Sequence, residues 1–111
     1  MSDESNKYLV DMLNSILSIE SYIGEQKDFN IYAENKMLRR AVERELEIIG
    51  EAVSKLKKID AEIQLTNARK IIDLRNKVIH SYDSVDDIII WGIVIKYLPI
   101  LKTEIEALLK F

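Results

Sequence analysis

Apolar residues return every three or four positions along most of this chain, and little interrupts them. There are three glycines and one proline in 111 residues. A chain so short of turn-forming residues makes few tight hairpins, and this rhythm marks long helices with one apolar face. Over about residues 5–23, Leu9, Met12, Leu13, Ile16, Ile19 and Ile23 share a face, and Gly24 supplies a C-terminal stop. Residues 25–31 read as a connection. Over about residues 33–58 the inward row is Leu38, Val42, Leu46, Ile49, Val53 and Leu56. The opposite face is charged, with Arg39–Glu43 and Glu51–Lys55 spaced as i, i+4 pairs on a solvated surface. Gly50 in mid-helix costs about 1 kcal/mol against alanine, which close approach of a neighbouring backbone would offset.

A third helix is predicted over about residues 66–80, with Ala68, Ile71, Ile72, Val78 and Ile79 apolar. Ser81, Tyr82 and Asp83 then read as a turn. Ser84 is a candidate N-cap before the acidic first turn of a fourth helix over about residues 85–109. The first half of that helix, from Ile88 to Ile95, is apolar on every side. Taken alone it resembles a buried strand, but the cap, the length and the absence of a partner strand favour helix. An all-apolar helix is either central or half of a subunit interface. Trp91 reads as a core anchor. Pro99 should kink or break the helix and leave a short fifth one after it. The expected architecture is all-α: one domain over residues 1–111, an antiparallel four-helix up-and-down bundle.

Composition narrows the function classes. Apolar residues make up 48% and charged residues 32% of the chain, the balance of a folded globule. The polar N-terminus has no signal-peptide core, and the Ile88–Ile95 run is far short of the ~20 residues a membrane span needs. A cytoplasmic protein with no membrane association is expected. The net charge of −3 argues against broad coating of nucleic acid, though not against a small basic cleft. With no cysteine and one histidine, a Cys/His zinc site is excluded. No clustered Asp motif points to Mg²⁺, and no cofactor is expected.

That single histidine, His80, concentrates the chemistry, because few other groups move protons near neutral pH. Arg75 stands five positions before it, near the middle of the third helix's apolar stripe. Asn76 and His80 form an i, i+4 pair and can touch. A guanidinium on an apolar stripe needs a partner, a ligand or a wet cleft. On geometry alone the plainer reading is a structural arginine paired to Glu43, Glu47 or Glu51. The spacing of Arg75 and His80 is by itself unspecific.

Taken together, Arg75-Asn76-x-x-x-His80-x-Tyr82, the Ile48-Ile49-Gly50-Glu51-Ala52 stretch, and Trp91 followed by Leu98-Pro99-Ile100-Leu101 resemble the HepT-like toxins of the HEPN superfamily, small helical-bundle ribonucleases. The resemblance covers nearly the whole chain. It departs at residues 59–65, where the family often carries a segment with Pro and Trp, so a rearranged entry to the third helix is expected. The resemblance implies a metal-independent endoribonuclease, the toxin of a type II/VII-like toxin–antitoxin pair. It implies a minimal nucleotidyltransferase antitoxin as partner, and a homodimer in which two Arg/His sets line one cleft. RNA carries its own nucleophile, the 2′-OH. His80 would then be general base or acid, and a helix C-terminus, which favours the protonated ring, would suit the acid role. Arg75 would hold the phosphate and its transition-state charge, and Asn76 would orient ring or phosphate. Tyr82 would be the residue the antitoxin adenylylates. On residues alone, Tyr82 reads equally as packing of the turn. A non-catalytic HEPN-type module that binds nucleotide or a partner is the alternative.

Overall fold

Capping side chains set where the helices begin. The structure, a computed structural model, describes residues 2–65, 67–79 and 85–109, without the side chains of residues 74, 75, 77–79, 85 and 86. Ser2 caps helix α1 (Asp3–Ile23), its Oγ accepting from the Ser5 N–H at 3.1 Å. Gly24 ends α1 at φ 77°, a left-handed value that suits glycine, and its N–H bonds the Glu20 carbonyl. Asp28 then caps a short helix, α2 (Phe29–Glu34), by accepting from the Asn30 and Ile31 N–H groups at 2.8 and 3.2 Å.

This short helix lies where sequence periodicity gives a connection and the start of one long helix. Asn35 is the reason for the difference. Its extended backbone ends α2, and its Oδ1 accepts from the Leu38 N–H at 3.0 Å to start α3 (Lys36–Ile59). An apolar rhythm runs straight through such a junction, because a capping residue changes chain direction without changing polarity.

The predicted inward rows are the core. Leu9, Met12, Ile16 and Ile19 of α1 are fully buried, as are Val42, Leu46 and Leu56 of α3, while Ile23 and Leu38 are half-buried at the ends of their rows. Gly50 is buried in the middle of α3. The two long helices pack antiparallel, and Tyr22 near the end of α1 donates to Glu45 in the first half of α3 at 2.9 Å. Residues 60–65 turn the chain and are pinned by the buried Leu65. Ala68 and Ile71 are buried on α4 (Ala68–Ile79), which packs on α3.

The last rod comprises α5 (Val85–Gly92), a π-helical turn (Ile93–Tyr97) and α6 (Leu98–Leu109). Pro99 neither breaks nor ends it. It sits in the first turn of α6, directly after the π-turn, in which the Leu98 N–H bonds the Ile93 carbonyl five residues back. Proline lacks an N–H and clashes with the carbonyl four residues before it. The extra residue of a π-turn relieves both problems. A separate last helix, α6, does follow the π-turn and holds Pro99 in its first turn, and the bundle has a further helix, α2, ahead of α3. Ile90, Ile93, Leu98, Leu101 and Ile105 face the core, and Lys102 reaches Glu20 of α1 at 3.0 Å. The result is an all-α antiparallel bundle. Among the described residues no helix is long and apolar enough to cross a membrane.

Candidate functional site

Helix α4 carries the first half of the candidate motif. Arg75 stands four residues after the buried Ile71 and seven after the buried Ala68 on this helix, and its side chain lies outside the described residues. Asn76, the next position, is exposed. His80 and Tyr82 lie outside the described residues, and so does Ser84, the expected cap of the last rod. Of the carboxylates that could serve a structural arginine, Glu47 holds Arg44 at 3.2 Å and Glu43 has Arg40 at 3.7 Å among its partners.

Chain connectivity fixes the direction taken after α4. Five residues join the end of α4 to the start of α5. Asp87, in the first turn of α5, pairs with Arg39 in the first turn of α3 at 3.6 Å. The chain leaving α4 therefore leads to the end of the bundle where α2, the start of α3 and the start of α5 converge. Arg39 is central there. Its guanidinium also donates to the Ala33 carbonyl in α2, so one side chain ties three helices together. The i, i+4 reading paired Arg39 with Glu43. In the fold Arg39 pairs with Asp87 of α5, a contact across helices that helical spacing does not report.

Beneath this clamp lies a tyrosine that no motif in the sequence singles out. Tyr32 is fully buried, with its ring edge-on to Trp91 at 5.3 Å, and Phe29 meets the same indole at 5.8 Å. Burial pushes the Tyr32 phenol well above its ordinary range. The charges of Glu43 and Asp87 push the same way, against Arg39. Its hydroxyl is held neutral and is unsuited to proton transfer near neutral pH. Among the described residues no three His, Asp or Glu side chains gather closely enough to hold a metal ion.

Comparison with known proteins decides the family. Residues 12–108 match the family described as Ribonuclease HepT-like. This chain belongs to the HepT-like family of the HEPN superfamily. The matched span contains all of Arg75, Asn76, His80 and Tyr82. Among HepT-like relatives, the chain is 38% identical over 101 residues to a "Putative RNase" of Methanocaldococcus jannaschii, covering 89% of this chain and 91% of that protein. It is 34% identical over 114 residues to a "Probable ribonuclease HepT" of Thermococcus cleftensis, covering 99% and 100%. A "Putative RNase" of Caldanaerobacter subterraneus is 35% identical over 83 residues, 74% of each chain. No solved structure matches. The departure at residues 59–65 leaves the HepT-like frame intact: a turn after Asp60 and the buried Leu65 deliver the chain to α4 without the segment of Pro and Trp.

Proposed function

We propose that this chain is a metal-independent endoribonuclease, the toxin of a toxin–antitoxin pair, in which Arg75, Asn76 and His80 act on RNA. The observation that carries this reading is the HepT-like match over residues 12–108, which spans the motif and the helices around it. The chemistry needs only protein side chains and the substrate. His80 takes the proton of the 2′-OH, the freed oxygen attacks phosphorus, and the bond from phosphorus to the 5′-oxygen breaks. The imidazolium returns a proton to that leaving oxygen, and a 2′,3′-cyclic phosphate remains. Arg75 offers a planar fork to the non-bridging oxygens as charge gathers on them. Asn76 orients ring or phosphate through its amide.

Two copies would bring two motif sets to one cleft. The surface of the last rod supports such pairing, because Ile88 is 62% exposed in the single chain. The partner in silencing would be a nucleotidyltransferase that transfers AMP from ATP to the Tyr82 hydroxyl and releases pyrophosphate. The added phosphodiester would pair with Arg75, and its bulk would exclude RNA.

The decisive assay is RNA cleavage in excess EDTA. Cyclic-phosphate ends are expected, with His80→Ala and Arg75→Ala slower by at least ~10² while the fold stays helical. Full activity in His80→Ala would overturn the mechanism, since the chain has no second imidazole. RNA binding without cleavage by the unaltered chain would instead favour the non-catalytic module. Incubation with the cognate nucleotidyltransferase and ATP should add AMP mass increments that vanish in Tyr82→Phe, and that variant should escape silencing.

A further inference from the structure

Two cavities open on either side of the turn that joins α1 to α2. They share Ile23, Gly24 and Glu25 in their walls and so form one bent groove. The larger, about 360 Å³, is walled by Ile19 of α1 and by Val94, Ile95, Leu98 and Pro99 around the π-turn. The smaller, about 210 Å³, is walled by Ile31, Tyr32, Leu38 and Trp91.

The turn between them is held in shape. The Gly24 N–H is bonded to the Glu20 carbonyl at 3.0 Å, Lys27 stands in the left-handed region at φ 50°, and Asp28 is tied to the start of α2. A groove with a fixed floor loses little entropy when it is filled.

Charge decides what fills it. The floor is apolar, while among the described residues the rim carries Glu20, Glu25 and Asp28 against Lys27. Lys102 already neutralises Glu20 at 3.0 Å, which leaves Glu25 and Asp28 as the exposed acidic edge. An RNA strand would bring its phosphates against these carboxylates. A second copy docking here about a two-fold axis would set the same acidic edge against itself. A protein segment with apolar anchors and basic flanks meets neither obstacle, and the two cavities accept one anchor each.

We propose that this groove seats a segment of another protein that carries two large apolar side chains flanked by Lys or Arg. The named walls lie on α1, the turn after it, α2, α3 and the last rod, and the proposal draws on none of the residues of the nuclease reading.

The test is selection of random phage-displayed peptides on the whole chain, followed by fluorescence polarisation with the peptides recovered. Ile31→Lys and Glu25→Lys are the groove variants. Both residues are exposed, so folding should survive, and thermal melting checks that it does. The expected result is a peptide family with two apolar anchors and basic flanks, whose affinity falls at least tenfold in each variant. Three results would overturn the proposal: peptides that bind the variants as well as the unaltered chain, no family that distinguishes them, or acidic flanks. Loss of self-association or of RNA binding in Ile31→Lys would also overturn it, because the groove would then seat a second copy or nucleic acid.

Discussion

Tyr32 is the residue at which polarity in the sequence and chemistry in the fold part most. A tyrosine in an amphipathic stretch is ordinary, yet this one is buried between Trp91 and the Arg39–Asp87 clamp with its phenol held protonated. The consequence for stability has a definite sign. A phenol whose folded pKa lies above its unfolded value near 10.0 stays protonated in the native state while the unfolded chain ionises. The unfolded state then binds fewer protons, so unfolding becomes easier as pH rises. The contribution is complete below the unfolded value and drains away above it. In urea titrations repeated at rising alkaline pH, the midpoint should fall for the unaltered chain and fall less steeply for Tyr32→Phe. Parallel pH profiles for the two proteins would show that Tyr32 carries no such linkage.

At the scale of elements, Asn35 and the π-turn do what apolar periodicity cannot report. Asn35 is both the end of α2 and the N-cap of α3, and its Oδ1 satisfies the Leu38 N–H. Asn35→Ala should cost about 1 kcal/mol, read as a lower denaturation midpoint with an unchanged slope. Asn35→Asp keeps the acceptor and should restore most of the loss. The same residue sets Arg39 in the first turn of α3, where its guanidinium reaches Asp87 of α5 and the Ala33 carbonyl of α2. The π-turn likewise turns Pro99 from a break into a continuation, so that Leu98, Leu101 and Ile105 stay in the core. Both devices are local, and both redirect side chains far along the chain.

For the whole molecule, the unburied apolar surface is the feature with a consequence. The all-apolar run from Ile88 to Ile95 divides in the fold: Ile90, Ile93 and Val94 turn inward, while Ile88 and Ile95 stay on the surface. An isoleucine as exposed as Ile88 is what a symmetric interface would cover. Ile88→Glu should shift sedimentation toward the monomer at micromolar concentration and leave the melting temperature of dilute protein nearly unchanged, since Ile88 is 62% exposed. If the reading of a shared cleft is right, the same variant should lose RNA cleavage in step with self-association. A variant that stays dimeric would put the contact elsewhere.

What the sequence by itself determined is the part of this protein governed by repetition. Rows of Leu, Ile and Val at helical spacing specify which faces meet, because burying apolar area is roughly additive along a row and tolerates small errors of register. The candidate site was legible for a related reason. One histidine leaves few places for proton transfer, and the arrangement of Arg75, Asn76, His80 and Tyr82 is a local spacing that needs no knowledge of distant contacts. Tertiary structure alone decided the rest. Whether Arg39 reaches Asp87 and whether Tyr32 is a surface or a buried phenol depend on which helices come to lie side by side, while the path of the chain past Pro99 depends on the π-turn before it. The first two choices are made between groups far apart in the chain. Each is settled by a capping bond, a single ion pair or one extra residue in a turn, and no pattern repeats often enough to announce them.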